Sequence, residues 1–214
     1  MKIGLDRSID MSKDELLSAV NSLNAGLCVV YPTSTLPGLG CKPTKEGLDR
    51  LYSMKNRNEN MPVSLGVFEM NQVKDLVYFN QEVLDLLNSF AKGSITLILP
   101  AKETLDARLG GDNIAIRVFS NPKASELAKL VGPISATSAN KSGVNPQADC
   151  EKAGKELGLP TDCIVSGFCD SGLGSTFVKV NLNENCTAVD TVTVMRQGVV
   201  PTKDVEAWLM SKTE

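Results

Sequence analysis

Ser135-Ala136-Thr137-Ser138-Ala139-Asn140-Lys141-Ser142-Gly143 is the stretch from which the fold can be read. An apolar run over 131–134, interrupted by Gly132 and Pro133, leads into it, and small polar side chains ending in a glycine follow. A strand that ends this way opens a loop whose backbone N–H groups and hydroxyls can approach a ligand closely. The same residues would equally make an ordinary strand-to-helix turn. The choice depends on whether other segments supply matching pieces.

On the N-terminal side, Asn121-Pro122 reads as a cap and first-turn proline for a helix running to about residue 130. Before it come two apolar strand patterns, 94–99 and 114–118, joined through Gly110-Gly111. Residues 63–68 predict another strand. Helical spacing recurs over 72–77 and in a run opening at Asn80 with Val83, Leu84, Leu87 and Phe90. A helix from about Thr44 to Lys55 carries Leu48, Leu51 and Met54 on one face. A Gly-, Pro-, Ser- and Thr-rich loop over 32–43 precedes it, and a polar loop over 56–62 follows. Ser12-Lys13-Asp14-Glu15 has the form of a capping box ahead of Leu16, Leu17, Val20 and Leu23. Gly26 ends that helix, and 27–31 predicts a buried strand.

On the C-terminal side the expected elements are a helix over 149–157 and strands over 163–166, 176–180 and 188–195. A short helix over 202–211 follows, capped by Thr202 and carrying Val205, Trp208 and Leu209. Strands alternating with helices imply an α/β (α+β) fold with a mixed sheet. We expect a single domain over 1–214 with its core over about 12–200. No repeat, low-complexity stretch or linker breaks it.

Composition narrows the function. At 214 residues, with 42% apolar and 22% charged side chains, the chain can bury a core. A net charge of −3 supplies no global field for nucleic acid. No apolar run is long enough to span a bilayer, and 1–10 lacks the apolar core of a secretory signal, which predicts a cytoplasmic protein. Six cysteines without C-x-x-C spacing read as reduced structural thiols. There is no histidine, so Ser-His-Asp and Cys-His triads and His-based zinc sites are excluded.

Five constellations could carry chemistry. Thr33 and Thr35 lie in Tyr31-Pro32-Thr33-Ser34-Thr35-Leu36-Pro37-Gly38-Leu39-Gly40, which suits a small polar ligand or a tight turn and matches neither a P-loop nor a dinucleotide fingerprint. Lys55 and Arg57 could reach one polyanion, or simply sit as cations at a helix C-terminus. Arg117, inside the apolar strand Ile114-Ala115-Ile116-Arg117-Val118, needs a carboxylate ligand or a salt bridge. Ser175 follows Gly172 and Gly174, and Arg196 opens Arg196-Gln197-Gly198.

In order, these pieces read P-T-x-T…G-L-G, K-x-R, T-L-I-L-P, I-R-V, S-A-N-x-S-G, G-S-T and R-x-G. That order closely resembles the YrdC/Sua5 family of L-threonylcarbamoyladenylate synthases, from about Ser12 to about Val200, in the short form. The resemblance implies a twisted open mixed sheet flanked by helices, with a large central cleft. It implies catalytic and ATP-binding roles for Lys55, Arg57, Ser138 and Asn140, with Arg196 also on the nucleotide. It places Thr33, Thr35, Arg117 and Ser175 around L-threonine. The implied reaction joins L-threonine, bicarbonate and ATP, with Mg²⁺ held mainly by the nucleotide and no protein metal site. Its product, threonylcarbamoyl-AMP, serves the t6A modification of tRNA through a threonylcarbamoyl transferase of the TsaD/Kae1 type. A tRNA or double-stranded RNA contact belongs to the same expectation.

The pattern departs from the family at Ser34 and Pro37, where an acid and an aromatic are usual, and at Asn58 in place of proline. Ala91-Lys92-Gly93-Ser94 replaces P-G-P before T-L-I-L, and the segment 62–66 lacks the histidine often found beyond Pro-Leu. These differences lie on the amino-acid side and bear on substrate identity. Two other functions share the resemblance: a non-catalytic RNA-binding protein of the YciO type, and carbamoyl-adenylate chemistry as in hydrogenase-maturation proteins.

Overall fold

The structure, a computed structural model, describes residues 7–169 and 172–211. The 1–10 stretch considered above begins outside these residues. The strands are β1 (Val29–Tyr31), β2 (Gly38–Gly40), β3 (Ser64–Val67), β4 (Ile95–Pro100), β5 (Asn113–Val118), β6 (Ile134–Ser138), β7 (Thr176–Leu182) and β8 (Val189–Arg196). The helices are α1 (Arg7–Asn24), α2 (Lys45–Lys55), α3 (Gln81–Asn88), α4 (Pro122–Val131), α5 (Cys150–Glu156) and α6 (Thr202–Met210). One open sheet holds the strands in the order β1-β2-β6-β3-β5-β4-β7-β8. β3 runs parallel to β5 and β4 parallel to β7, while the other neighbours are antiparallel, so the sheet is mixed as expected.

The central strands explain their own position. Ile95, Leu97, Leu99, Ile114 and Ile116 are all at most 1% exposed, so β4 and β5 need cover and receive it from helices. Alternate residues of β1 feed two apolar clusters: Val30 joins residues of α2, α3, α5 and α6, whereas Val29 and Tyr31 join residues of α1 and α4. The period-2 alternation of a strand puts those clusters on opposite faces of the sheet. Helix starts follow their caps. Thr44 accepts from Gly47 N, Asn80 from Val83 N, Asn121 from Lys123 N and Ala124 N, and Asp149 from Glu151 N and Lys152 N.

Five expectations need correction. α1 begins at Arg7, so Ser12 lies inside the helix and 12–15 is no cap. Gly38–Gly40, expected in a loop, is a strand because β1 and β6 supply backbone partners on both sides. Residues 72–77 form no α-helix: a short 3-10 turn, Met70–Val73, stands there. Residues 163–166 form no strand: beside β1 they make one isolated parallel bridge, Val30 to Ile164, with Val165 N donating to the Val30 carbonyl at 2.8 Å. Thr202 is the first residue of α6, after Pro201 at the cap position, and its hydroxyl donates to Gln197 Oε1 instead.

Candidate active site

A cavity of about 340 Å³ opens between the 33–38 loop, the ends of β6 and β8, and the turn before β7. Its first wall is set by register, with Gly38 opposite Ser138 and Leu39 opposite Thr137. Ala139 N donates to the Pro37 carbonyl at 2.8 Å, tying the threonine loop to the segment beyond β6. Glycine is needed at 38, because a Cβ there would lie 2.6 Å from the Tyr31 ring. Thr33 and Thr35 are both buried. Thr33 Oγ1 donates to the Leu36 carbonyl at 2.7 Å and accepts from Thr35 N at 3.1 Å, a local turn that fixes both hydroxyls.

β5 delivers Arg117 to the cavity. Its Nε donates to the Gly93 carbonyl at 3.0 Å, and Nη2 to Thr35 Oγ1 at 2.8 Å and Ser34 Oγ at 3.3 Å. None of the ion pairs among the described residues involves it. Burial pushes the guanidinium pKa down to about 10, and the Arg196 charge acts in the same direction. Arg196 ends β8, with its guanidinium carbon 4.2 Å from the Phe177 ring centroid, and donates from Nη2 to the Ser175 carbonyl at 2.9 Å. Burial lowers its pKa, and the Arg57 charge lowers it further. Ser175 is 3% exposed, with Oγ 2.7 Å from Thr96 Oγ1, so β4 anchors the turn before β7.

Arg57, Arg117 and Arg196 therefore line one cavity, and its described lining residues include no aspartate or glutamate. Like charges gathered in partly desolvated space repel, and a bound anion relieves that repulsion. The arrangement is built for a polyanion or for several carboxylate and phosphate groups together. No group of three or more His, Cys, Asp or Glu that could hold a metal ion occurs among the described residues.

Lys55 does not line this cavity. It is 1% exposed, and Nζ donates to the carbonyl of Ser138 and, at 2.5 Å, to that of Asn140. Ser142 N donates back to the Lys55 carbonyl at 2.9 Å. The ammonium thus faces backbone oxygens rather than the space expected for phosphates, because α2 ends directly against the loop that follows β6. Burial, then the Arg57 charge, pull its pKa down to about 8. Asn140 does not line the cavity either. Its Nδ2 donates to the Lys141 and Val144 carbonyls at 3.0 and 2.6 Å, and Oδ1 is buried with no partner among the described residues.

Seven of the nine residues picked from sequence line the cavity: Thr33, Thr35, Arg57, Arg117, Ser138, Ser175 and Arg196. Lys55 and Asn140 do not. Sequence reasoning missed Tyr31, Ser64, Phe119 and Phe177, which also line the cavity. The available signal was positional, since Tyr31 ends a predicted strand and Phe119 directly follows one.

Residues 21–198 match the profile of the Sua5_yciO_yrdC family, described as telomere recombination. The chain belongs to this family. Among similar proteins, the threonylcarbamoyl-AMP synthase of Pseudomonas fluorescens (strain Pf0-1) is 35% identical over 129 residues, covering 58% of this chain and 70% of that protein. That of Bacillus subtilis (strain 168) is 29% identical over 199 residues, covering 90% of this chain and 56% of that one. The crystal structure of P. abyssi Sua5 complexed with L-threonine superimposes with a TM-score of 0.79 at 25% identity, covering 92% of this chain and 58% of that one. The chain thus spans little more than half the length of the last two relatives.

Proposed function

We propose that this chain is a threonylcarbamoyl-AMP synthase, which joins L-threonine, bicarbonate and ATP and releases pyrophosphate and water. The observation that carries this reading is the convergence of Arg57, Arg117 and Arg196 on one cavity whose described lining holds no acid. Membership of the Sua5_yciO_yrdC family supports the same reaction. The nucleotide phosphates occupy the side of Arg57, Ser138 and Arg196. The threonine carboxylate pairs with Arg117, between the hydroxyls of Thr33, Thr35 and Ser175. Lys55 and Asn140 act by holding the loop that carries Ser138.

The chemistry suits a chain without histidine. Threonine nitrogen takes up the carbon of bicarbonate with loss of water. A carbamate oxygen then attacks the α-phosphorus as the bond to pyrophosphate breaks. No protein nucleophile takes part, and the protein's share is orientation and neutralisation of charge on the phosphates. The described lining residues carry no carboxylate, so they do not form a ligand set for Mg²⁺. In this reading the ion arrives with the ATP phosphates. The product is consumed by a threonylcarbamoyl transferase acting on tRNA, in the cytoplasm.

The test is pyrophosphate release from ATP by the purified chain, with L-threonine and bicarbonate omitted in turn. Release that depends on both is expected, and serine should substitute poorly. Release indifferent to either one, or RNA binding with no release at all, overturns the proposal.

A further inference from the structure

Helix α2 carries Asp49, Tyr52 and Lys55 three residues apart, which sets them along one side of the helix. Lys55, at the end of that row, grips the carbonyls of Ser138 and Asn140. The middle member faces Arg57. Tyr52 is 3% exposed, and the Arg57 and Arg108 guanidinium carbons lie 5.9 and 5.8 Å from its ring centroid. Its hydroxyl has one proton to give, directed at the Met61 carbonyl at 2.8 Å and the Arg108 carbonyl at 3.0 Å.

The Met61 carbonyl is also the acceptor for Arg57 Nε at 2.8 Å, while Arg57 Nη2 donates to the Pro62 carbonyl at 3.0 Å. Ring and hydroxyl together therefore hold both the guanidinium and the loop it leans on. Two of its five N–H donors are used this way among the described residues, and the Arg57 side chain lines the cavity. Arg108 is fixed in turn. Its Nε and Nη2 take the two Asp106 oxygens at 3.0 and 2.7 Å, and Nη1 takes Asp49 at 2.5 Å. Its carbonyl also accepts from Val63 N at 2.8 Å, next to the cavity-lining Ser64. The Arg108 guanidinium holds both acids below the usual carboxylate range, so the clamp stays charged at neutral pH. None of Asp49, Tyr52, Asp106 and Arg108 lines the cavity.

We infer that Tyr52, backed by Arg108 and its two aspartates, is a positioning residue that presents Arg57 to the nucleotide. The inference rests on the reading of this cavity as an ATP site. Pyrophosphate release is measured for wild type, Tyr52→Phe, Arg57→Lys and the double variant, varying ATP and L-threonine separately. Tyr52→Phe keeps the ring and its packing, so the variant folds and loses only the hydroxyl contacts. Its kcat/KM for ATP falls by about tenfold. Its KM for L-threonine is unchanged, and in the Arg57→Lys background it costs less than about twofold. An equal loss toward both substrates, or the full loss repeated on top of Arg57→Lys, assigns Tyr52 to general stability and overturns the inference. An active wild type matched by Tyr52→Phe also overturns it alone, whereas a wild type that releases no pyrophosphate refutes the ATP reading itself.

Discussion

Replacing Lys55 by Met separates what a buried ammonium contributes from what it costs. Its two hydrogen bonds to the Ser138 and Asn140 carbonyls are charge-assisted and contribute about 1.5–3 kcal/mol each. Against them stand desolvation and then the Arg57 charge, since the fall from 10.5 to about 8 corresponds to about 3 kcal/mol. The two sides nearly offset at neutral pH, and Lys55→Met should destabilise by about 0–3 kcal/mol. The dependence on pH is sharper. Below about pH 8 the amine is charged in both folded and unfolded chains, and the desolvation cost is present in full. Between about 8 and 10.5 the folded chain has lost the proton while the unfolded chain keeps it, so this group makes wild-type stability rise with pH. Lys55→Met lacks that contribution. The gap between the two proteins should widen in the wild type's favour by about 2.5 kcal/mol between about pH 7 and about pH 10. Urea unfolding followed by the fluorescence of the single tryptophan, Trp208, measures it. A gap that is flat or narrows across this window would refute the burial and charge assigned to Lys55.

Two other substitutions probe the cavity directly. Arg117→Gln removes the charge that the proposed function pairs with the threonine carboxylate. Its KM for L-threonine should rise by about tenfold to a hundredfold while that for ATP stays within about twofold, as initial rates would show. Gly66→Ala would place a Cβ 1.9 Å from Phe119 Cζ, so the ring, which lines the cavity, must shift. It should cost about 1–3 kcal/mol in thermal unfolding and lower pyrophosphate release, with Phe119→Leu in the same chain restoring part of both.

The elements that were legible carry strong local signals. Asn80, Asn121 and Asp149 cap the helices they precede, and the apolar runs of β4 and β5 are strands. The misread segments are those whose state is set by distant partners. Gly38–Gly40 has two glycines in three residues and poor intrinsic strand preference, yet β1 and β6 on either side make it a strand. Residues 163–166 have a better strand composition but find only one bridge.

The alternation of strands and helices implied a mixed α/β sheet, and the order of the motifs carried the resemblance to the YrdC/Sua5 family, through which seven residues that line the cavity were picked. Such motifs are legible because close backbone approach, hydroxyl donors and guanidinium forks each demand particular side chains at particular spacings. Spacing cannot say which way a side chain turns. Only tertiary structure decided that the stretch after β6 is held by Lys55, leaving Ser138 on the cavity. It also decided that Tyr52 and Arg108, drawn from segments 56 residues apart, meet under Arg57. Both outcomes depend on which helix end abuts which loop, a matter of sheet order and packing that no local pattern encodes.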